Sequence, residues 1–368
     1  MPFLANVSNA IRRFLRFLLA RPLMWISNRY TSFPDQKSVN KSLDELYKEI
    51  VNGNTKKGRL VNIDPQLQSI IIFSDQHKGA RTGSDDFELS EKNYLKALAY
   101  YNQNKFALLA LGDSEELWEN TVLAVMKNYK DTFEAEALFA QRDAFYKVYG
   151  NHDLFWDNDP FASTFLKKMY GLDVSIYSGI VFRIALDKRT IDIFCTHGHQ
   201  GDKQSDGNAL SKWFISYIWG PMQSYLKINT NNPSTNDDLK TLHNEFMYQW
   251  SSKQNNIILI TGHTHQPVFG SLTHLERLLL RREEALQAND GETLAKIDAE
   301  IPRRKNEYDY IKQSFREVRP GYFNSGCCCY KDGNITGIEI AENSIRLIKW
   351  SKGERIVAEE AHLSDLKI

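Results

Sequence analysis

The sequence predicts an α/β fold in which short buried strands alternate with helices and present polar groups at their C-terminal ends. Three observations carry that expectation. The apolar runs at 70–73, 107–111 and 146–149 have the length and composition of strands buried on both faces. Longer stretches with helical periodicity separate them. Each run then opens into Gly or Asp and a polar cluster, "SDQHKG", "GDSEE" and "GNHD", as when ligands are held outside the C-terminal edge of an open sheet.

The elements follow in order. Ser42 caps a helix that runs to about Val51 and closes at Gly53, and 70–73 is the first buried strand. A helix from near Ser84 to Tyr101 leads to strand 107–111, a helical stretch continues to about Gln141, and strand 146–149 follows. Alternating residues on either side of 187–190 give a hairpin ending in "THGH". A helical region with Trp213, Phe214, Tyr217 and Trp219, best explained as core aromatics, precedes a helix through Trp250 and the strand 257–260, which delivers "TGHTHQP". Residues 274–316 are rich in Leu, Glu, Arg and Lys, break at Asn289, Asp290 and Gly291, and form a helical hairpin inserted between strands. Strands at 321–324, 335–340 and 344–350 finish the chain.

Composition narrows the function classes. With 368 residues and 42% hydrophobic content the chain can bury one large domain. Lys plus Arg equals Asp plus Glu at 46 each, so no overall field draws it to nucleic acid, which is not an expected partner. Its four cysteines, Cys195 and the consecutive Cys327, Cys328 and Cys329, fit neither a disulfide framework nor paired CxxC zinc spacing. They read as small buried residues of a strand in a reducing, cytoplasmic setting. Residues 1–30 hold Arg12, Arg13, Arg16, Arg21 and Arg29 and no acid, with Phe3, Leu4, Val7, Ile11, Phe14, Leu15 and Leu18 at helical spacing. This basic amphipathic helix serves either the membrane surface, on its inner face, or the protein's own core. Residues 31–368 form the remaining domain.

Five separated segments each place metal-competent side chains just after a strand: Asp75 and His77, Asp113, Asn151, His197, and His263 and His265. Four imidazoles, two carboxylates and one amide suit a divalent ion such as Mn, with Fe or Zn as alternatives. Seven ligands exceed the needs of one ion, so they imply two ions sharing a carboxylate. In an extended tail, residues two apart project to one side, so Asp75 with His77, and His263 with His265, are expected to grip together.

These segments, "DQH", "GDSEE", "GNHD", "HGH" and "GHTH" in that order, resemble the calcineurin-like metallophosphoesterase superfamily. The likeness spans residues 70–270 and, through the late strands, most of the chain beyond 320. It implies a four-layer α/β/β/α sandwich of two mixed sheets, with the inserted hairpin as a cap beside the site. It further implies that Asp75, His77 and His265 hold one ion, that Asn151, His197 and His263 hold the other, and that Asp113 bridges them. His152 then faces the leaving oxygen, oriented by Glu116 in preference to Asp153, and a metal-activated hydroxide attacks phosphorus.

Lys78 and Arg81 are candidate phosphate contacts, set against plain solvation, and His199 is a candidate substrate contact beside His197. His243, His274 and His362 read as incidental. "GDSEELWE" and "HGHQGD" are similar to the UDP-2,3-diacylglucosamine pyrophosphohydrolase branch, which usually carries Arg where His152 stands. The expected substrate is therefore a lipid-linked or nucleotide phosphodiester or pyrophosphate. The other readings are a soluble nucleotide or nucleic-acid phosphodiesterase or phosphatase, and a membrane-associated interaction protein with a vestigial metal site.

Overall fold

The computed structural model describes residues 35–82, 85–186, 189–201, 237–288, 290–304 and 318–368. The amphipathic segment 1–30, the stretch around Trp213 to Trp219 and residues 305–316 of the insertion lie outside the described residues. The first described helix, α1 (Gln36–Val51), is capped by Asp35, whose carboxylate accepts from the Lys37 and Ser38 N–H groups. Its cap therefore lies about two turns before Ser42, the cap the sequence suggested. Val39, Leu43, Leu46 and Ile50 form its buried stripe.

Two sheets of seven strands follow from the strand pairing. One contains β1 (Gly58–Ile63), β6 (Gly179–Leu186), β7 (Arg189–Thr196), β8 (Ile257–Thr261), β11 (Tyr322–Asn324), β9 (Val268–Phe269) and β10 (Leu272–Thr273), in that spatial order. The other runs β14 (Glu354–His362), β13 (Ser344–Ser351), β12 (Ile335–Ala341), β2 (Ile70–Phe73), β3 (Ala107–Leu111), β4 (Phe145–Val148), β5 (Ile176–Tyr177). Both are mixed: β2 to β5 are mutually parallel, as are β7, β8 and β11, whereas β12 is antiparallel to β2 and β6 to β7.

The alternation of side chains along each strand builds the layers. Ile70 and Ile72 of β2, with Leu109 and Leu111 of β3, face Ile180, Phe182, Ile193, Ile258 and Ile260 of the other sheet. Ile71, Phe73 and Leu108 point the opposite way, into α2 (Glu91–Gln103), α3 (Val122–Asn128), α4 (Lys130–Ala140) and α6 (Ala162–Tyr170). On the far side, α1 and α7 (Asp237–Ser251) cover Val181, Phe194 and Leu259. The order is thus α/β/β/α. The short helix α5 (Phe155–Asn158) follows "GNHD", and α8 (His274–Gln287) with α9 (Gly291–Arg304) form the inserted pair.

Some elements differ from the sequence expectation. The helix expected from Ser84 begins at Glu91, and the long helical stretch before Gln141 is two helices, α3 and α4. β1 and β14 are edge strands that periodicity did not reveal, and β14 has no buried residue at all, so it carries no apolar alternation to detect. The three cysteines are buried as expected, but they lie on the loop after β11 and not in a strand.

Beneath the ends of β2 and β3 lies a closed network of opposite charges. Lys78 Nζ is 2.7 Å from Glu136 and 3.3 Å from Glu115, and Lys147 Nζ is 3.0 Å from Glu115. Tyr94 and Tyr170 donate to Glu136, and the Trp156 indole donates to Glu115. All four charged side chains are fully buried. Lys78 is therefore a core residue and not a phosphate contact; the residue that follows a metal-competent histidine is turned inward by two carboxylates. Removing one partner strands a buried charge, so Lys78→Ala should destabilise the fold by about 3–5 kcal/mol. Urea denaturation checks this, and an unchanged midpoint would contradict the network's role.

Candidate metal centre

The C-terminal ends of β2, β3 and β4 in one sheet and of β7 and β8 in the other open toward the same edge. Backbone pairing between β2 and β3 continues past their last residues: Asp75 N–H donates to the Gly112 carbonyl, His77 N–H to Asp113 and Lys78 N–H to Ser114. Across the sheets, His263 N–H donates to both Asp75 carboxylate oxygens at 2.9 and 3.1 Å.

These segments are not extended tails. Asp75, His77, Asp113, His263 and His265 all have positive φ, between 48° and 71°. A non-glycine residue there is uncommon, and clustering at one place marks a strained, over-determined site. Each sharp turn redirects the chain, so the ligands converge through left-handed backbone and not through the every-second-residue rule of a strand. Two glycines keep the approach close. A Cβ on Gly150 would stand 2.2 Å from Asp113 Oδ1, and one on Gly262 would stand 2.4 Å from Asp75 Oδ2.

Two overlapping groups of ligand atoms result. His77 Nε2 and His265 Nε2 are 3.2 Å apart, and His265 Nε2 is 3.2 Å from Asp75 Oδ1. Asp113 Oδ2 lies 3.8 Å from His77 Nε2 and 3.1 Å from His197 Nε2, between the groups. The His263 ring is 5.1 Å from that of His197. Ligands about 2.1 Å from one ion stand about 3.0–3.4 Å apart, so these separations fit divalent ions. The buried Asn151 Oδ1 and His263 Nε2 have no hydrogen-bond partner, an expensive state for polar atoms unless they serve an ion or substrate.

Around the ligands, one carboxylate holds two rings. Glu116 Oε2 is 2.9 Å from His77 Nδ1 and 2.8 Å from His152 Nδ1. The His152 ring lies against the Trp118 indole, stacked at 4.1 Å between centroids, and edge-on to His77 at 4.7 Å; the residue's backbone N–H donates to Asp113 Oδ1. Burial opposes charge on His152, but Glu116 and Asp113 prevail and lift its pKa to about 9, while Glu116 is held down to about 2. Burial likewise raises Asp113, yet His197 and His152 keep it well below the ordinary carboxylate range.

The remaining expected residues fall out differently. Asp153 does not orient His152: its carboxylate accepts from the Ser114 and Gly150 N–H groups and ties the two loops together. Burial, with Glu115 and Asp113 nearby, raises its pKa to about 6. Arg81 stacks over Tyr129 and pairs with Glu91 and Glu88. His199 is buried with its ring 5.5 Å from His197.

His243, which looked incidental, sits 5.0 Å from the His263 ring and is buried with both ring nitrogens lacking partners. A single histidine on a helix twenty residues from its neighbour leaves no sequence signal. Trp118 did leave one, two positions past Glu116 in the same motif.

The family profile for calcineurin-like phosphoesterase matches residues 69–267. The chain belongs to the calcineurin-like phosphoesterase family. Its members use dinuclear divalent metal centres, and the two groups built around Asp113 are this chain's candidate ligands. Membership makes the protein a metal-dependent phosphoesterase, a hydrolase of phosphoester bonds. Comparison with curated proteins finds no match. Among the described residues no helix is long and apolar enough to cross a membrane.

Two outcomes follow for this phosphoesterase. Gly150→Ala should lower bound metal with the fold retained, measured by elemental analysis beside circular dichroism. In the metal-free protein the stabilisation from the His152 to Glu116 pair is complete below the ordinary imidazole value of 6.5 and is lost as pH rises through about 9. Thermal melts should therefore show wild type losing its advantage over His152→Gln across that window.

Proposed function

We propose that the protein hydrolyses a phosphodiester or pyrophosphate bond, with a lipid-linked or nucleotide substrate met at a membrane surface. The observation that carries the reading is His152: a buried imidazole paired with Glu116 and stacked on Trp118, in a residue whose backbone N–H donates to Asp113. Asp75, His77 and His265 would hold one ion and Asn151, His197 and His263 the other, with Asp113 common to both. Manganese fits this oxygen and imidazole set, as do iron and zinc. Bound there, such ions lower the pKa of water toward neutrality and offset charge on the phosphoryl oxygens.

The protein's own groups do the rest. His152 carries its proton at neutral pH and delivers it to the departing oxygen, while Glu116 fixes the ring through Nδ1 and leaves Nε2 for that transfer. Trp118 and His77 confine the ring on two sides. His199, beside His197, serves as a substrate contact. A diester or pyrophosphate has two substituents to house, and a cavity of about 570 Å³ adjoins His265. Lys240, Arg277 and Lys349 are among its lining residues, which suits an anionic group on one substituent. His274 and Arg277 bring the inserted hairpin to this cavity, in keeping with a cap.

The likeness of "GDSEELWE" and "HGHQGD" to the pyrophosphohydrolase branch of lipid A synthesis supports such a substrate. The basic amphipathic pattern of residues 1–30 supports the membrane surface as its meeting place.

Asp113→Ala and His263→Ala should each abolish hydrolysis of bis(p-nitrophenyl) phosphate with Mn²⁺; unchanged activity would sink the catalytic reading. His152→Gln should slow esters with alkoxide leaving groups by about 10²–10⁴-fold and nitrophenyl esters far less, since nitrophenolate needs no proton. Equal losses on both would contradict proton delivery. A faster turnover of phosphomonoesters than of diesters and pyrophosphates would refute the substrate class. Equal liposome flotation of the full chain and of a variant with Arg12, Arg13 and Arg16 changed to Glu would remove the membrane claim.

A further inference from the structure

Away from the centre, one cluster of cations is left without acids. Lys92 and Lys96 are exposed one turn apart on α2, and Lys352 is exposed in the tight turn between β13 and β14. Elsewhere the protein pairs lysine with glutamate at this helical spacing, as in Lys41 with Glu45, Lys130 with Glu134 and Lys296 with Glu292. Lys92 and Lys96 repel instead, at a small cost to the helix. Arg81 takes the acids next to them in the chain, Glu88 and Glu91. Among the described residues no ion pair engages Lys92, Lys96 or Lys352.

The three lysines are held around one groove. Asn93 fastens α2 to two turns: its amide donates to the Gly333 carbonyl at 2.6 Å, and its Oδ1 accepts from the Gly353 N–H at 2.7 Å. Lys96 Nζ lies against the second turn, where a Cβ on Gly353 would stand 2.3 Å from it. The groove has a volume of about 590 Å³ and is lined by all three lysines. Its one carboxylate, Asp332, accepts from the Asn334 N–H at 3.0 Å. Asp332 and Asn334 also line the cavity beside His265, so the two spaces adjoin.

We propose that this groove is a second phosphate site, which holds a phosphate of the substrate remote from the bond being cleaved. Its use by substrate rests on the catalytic reading given above. Three ammonium groups, with three donors each, suit the oxygens of a phosphate dianion. The shared wall at Asp332 and Asn334 is what favours the substrate's own phosphate over a lipid headgroup. A molecule bound beside His265 reaches the lysines through adjoining cavities.

Inorganic phosphate is the first probe. The full chain, freed of metal by chelation, is acetylated with and without phosphate and mapped by mass spectrometry. Lys92, Lys96 and Lys352 should be protected, and Lys41 and Lys130 should not. The second measurement uses the Mn²⁺-loaded chain and two diesters with one scissile bond, thymidine 5′-(p-nitrophenyl phosphate) with and without a 3′-phosphate. The 3′-phosphate should lower KM about 10-fold, the effect expected of three exposed charge pairs. The triple variant Lys92→Gln, Lys96→Gln, Lys352→Gln should lose that gain while hydrolysing the ester without the 3′-phosphate as wild type does. Lack of protection, or equal KM for the two esters in wild type, would overturn the inference whether or not the variant folds. Loss of flotation on phosphatidylglycerol vesicles by the variant, with its KM values as in wild type, would assign the lysines to a lipid surface and overturn it too. Failure of the catalytic reading would show separately, as full activity of Asp113→Ala with the lysines still protected.

Discussion

The constraint on which the rest depends is the parallel backbone pairing that carries β2 and β3 beyond their own ends. Asp75, His77 and Lys78 each donate a main-chain N–H to a carbonyl of the 112–114 segment, so the two loops that bear the first ligands are held at strand spacing even though their residues have left the strand conformation. Left-handed φ at five candidate-ligand positions costs on the order of 1–3 kcal/mol each. Such a conformation persists only where surrounding bonds determine it. Here those bonds come from the neighbouring loop, from Asp75 across the sheet interface, and from Asp153 between "GDSEE" and "GNHD".

Charge is managed in two tiers. Below the loops, Lys78 and Lys147 balance Glu115 and Glu136 in a sealed network, and nothing is left over to attract a ligand. Above them, Asp75, Asp113 and Glu116 face a crowd of imidazoles, and several polar atoms remain without partners. A surface that buries Asn151 Oδ1 and His263 Nε2 unsatisfied is stable only if something else completes it. One oxygen atom of Glu116 positions His77 and His152 together.

The sequence was informative wherever a local rule held. Buried strands ending in polar clusters were readable from 70–73, 107–111 and 257–260, and the order of the motifs identified the family. It was silent where long-range packing decides. Lys78 follows His77 in a motif and read equally as a phosphate contact or a solvated lysine, but two carboxylates, one of them on α4, draw it into the core. Asp153 is beside His152 in the chain and yet serves other loops. His243 and the cysteine loop reach the centre only through the way α7 and the turn after β11 meet the end of β8. β14 carried no apolar alternation, so nothing marked it.

Asp113 lies between the two candidate ligand groups, where its carboxylate would join them into one dinuclear centre. Electron paramagnetic resonance of the Mn²⁺-loaded protein tests it most directly. A pair bridged by Asp113 gives the spectrum of exchange-coupled manganese, replaced in Asp113→Ala by that of uncoupled ions. An uncoupled single-ion spectrum from the saturated wild-type protein would contradict it.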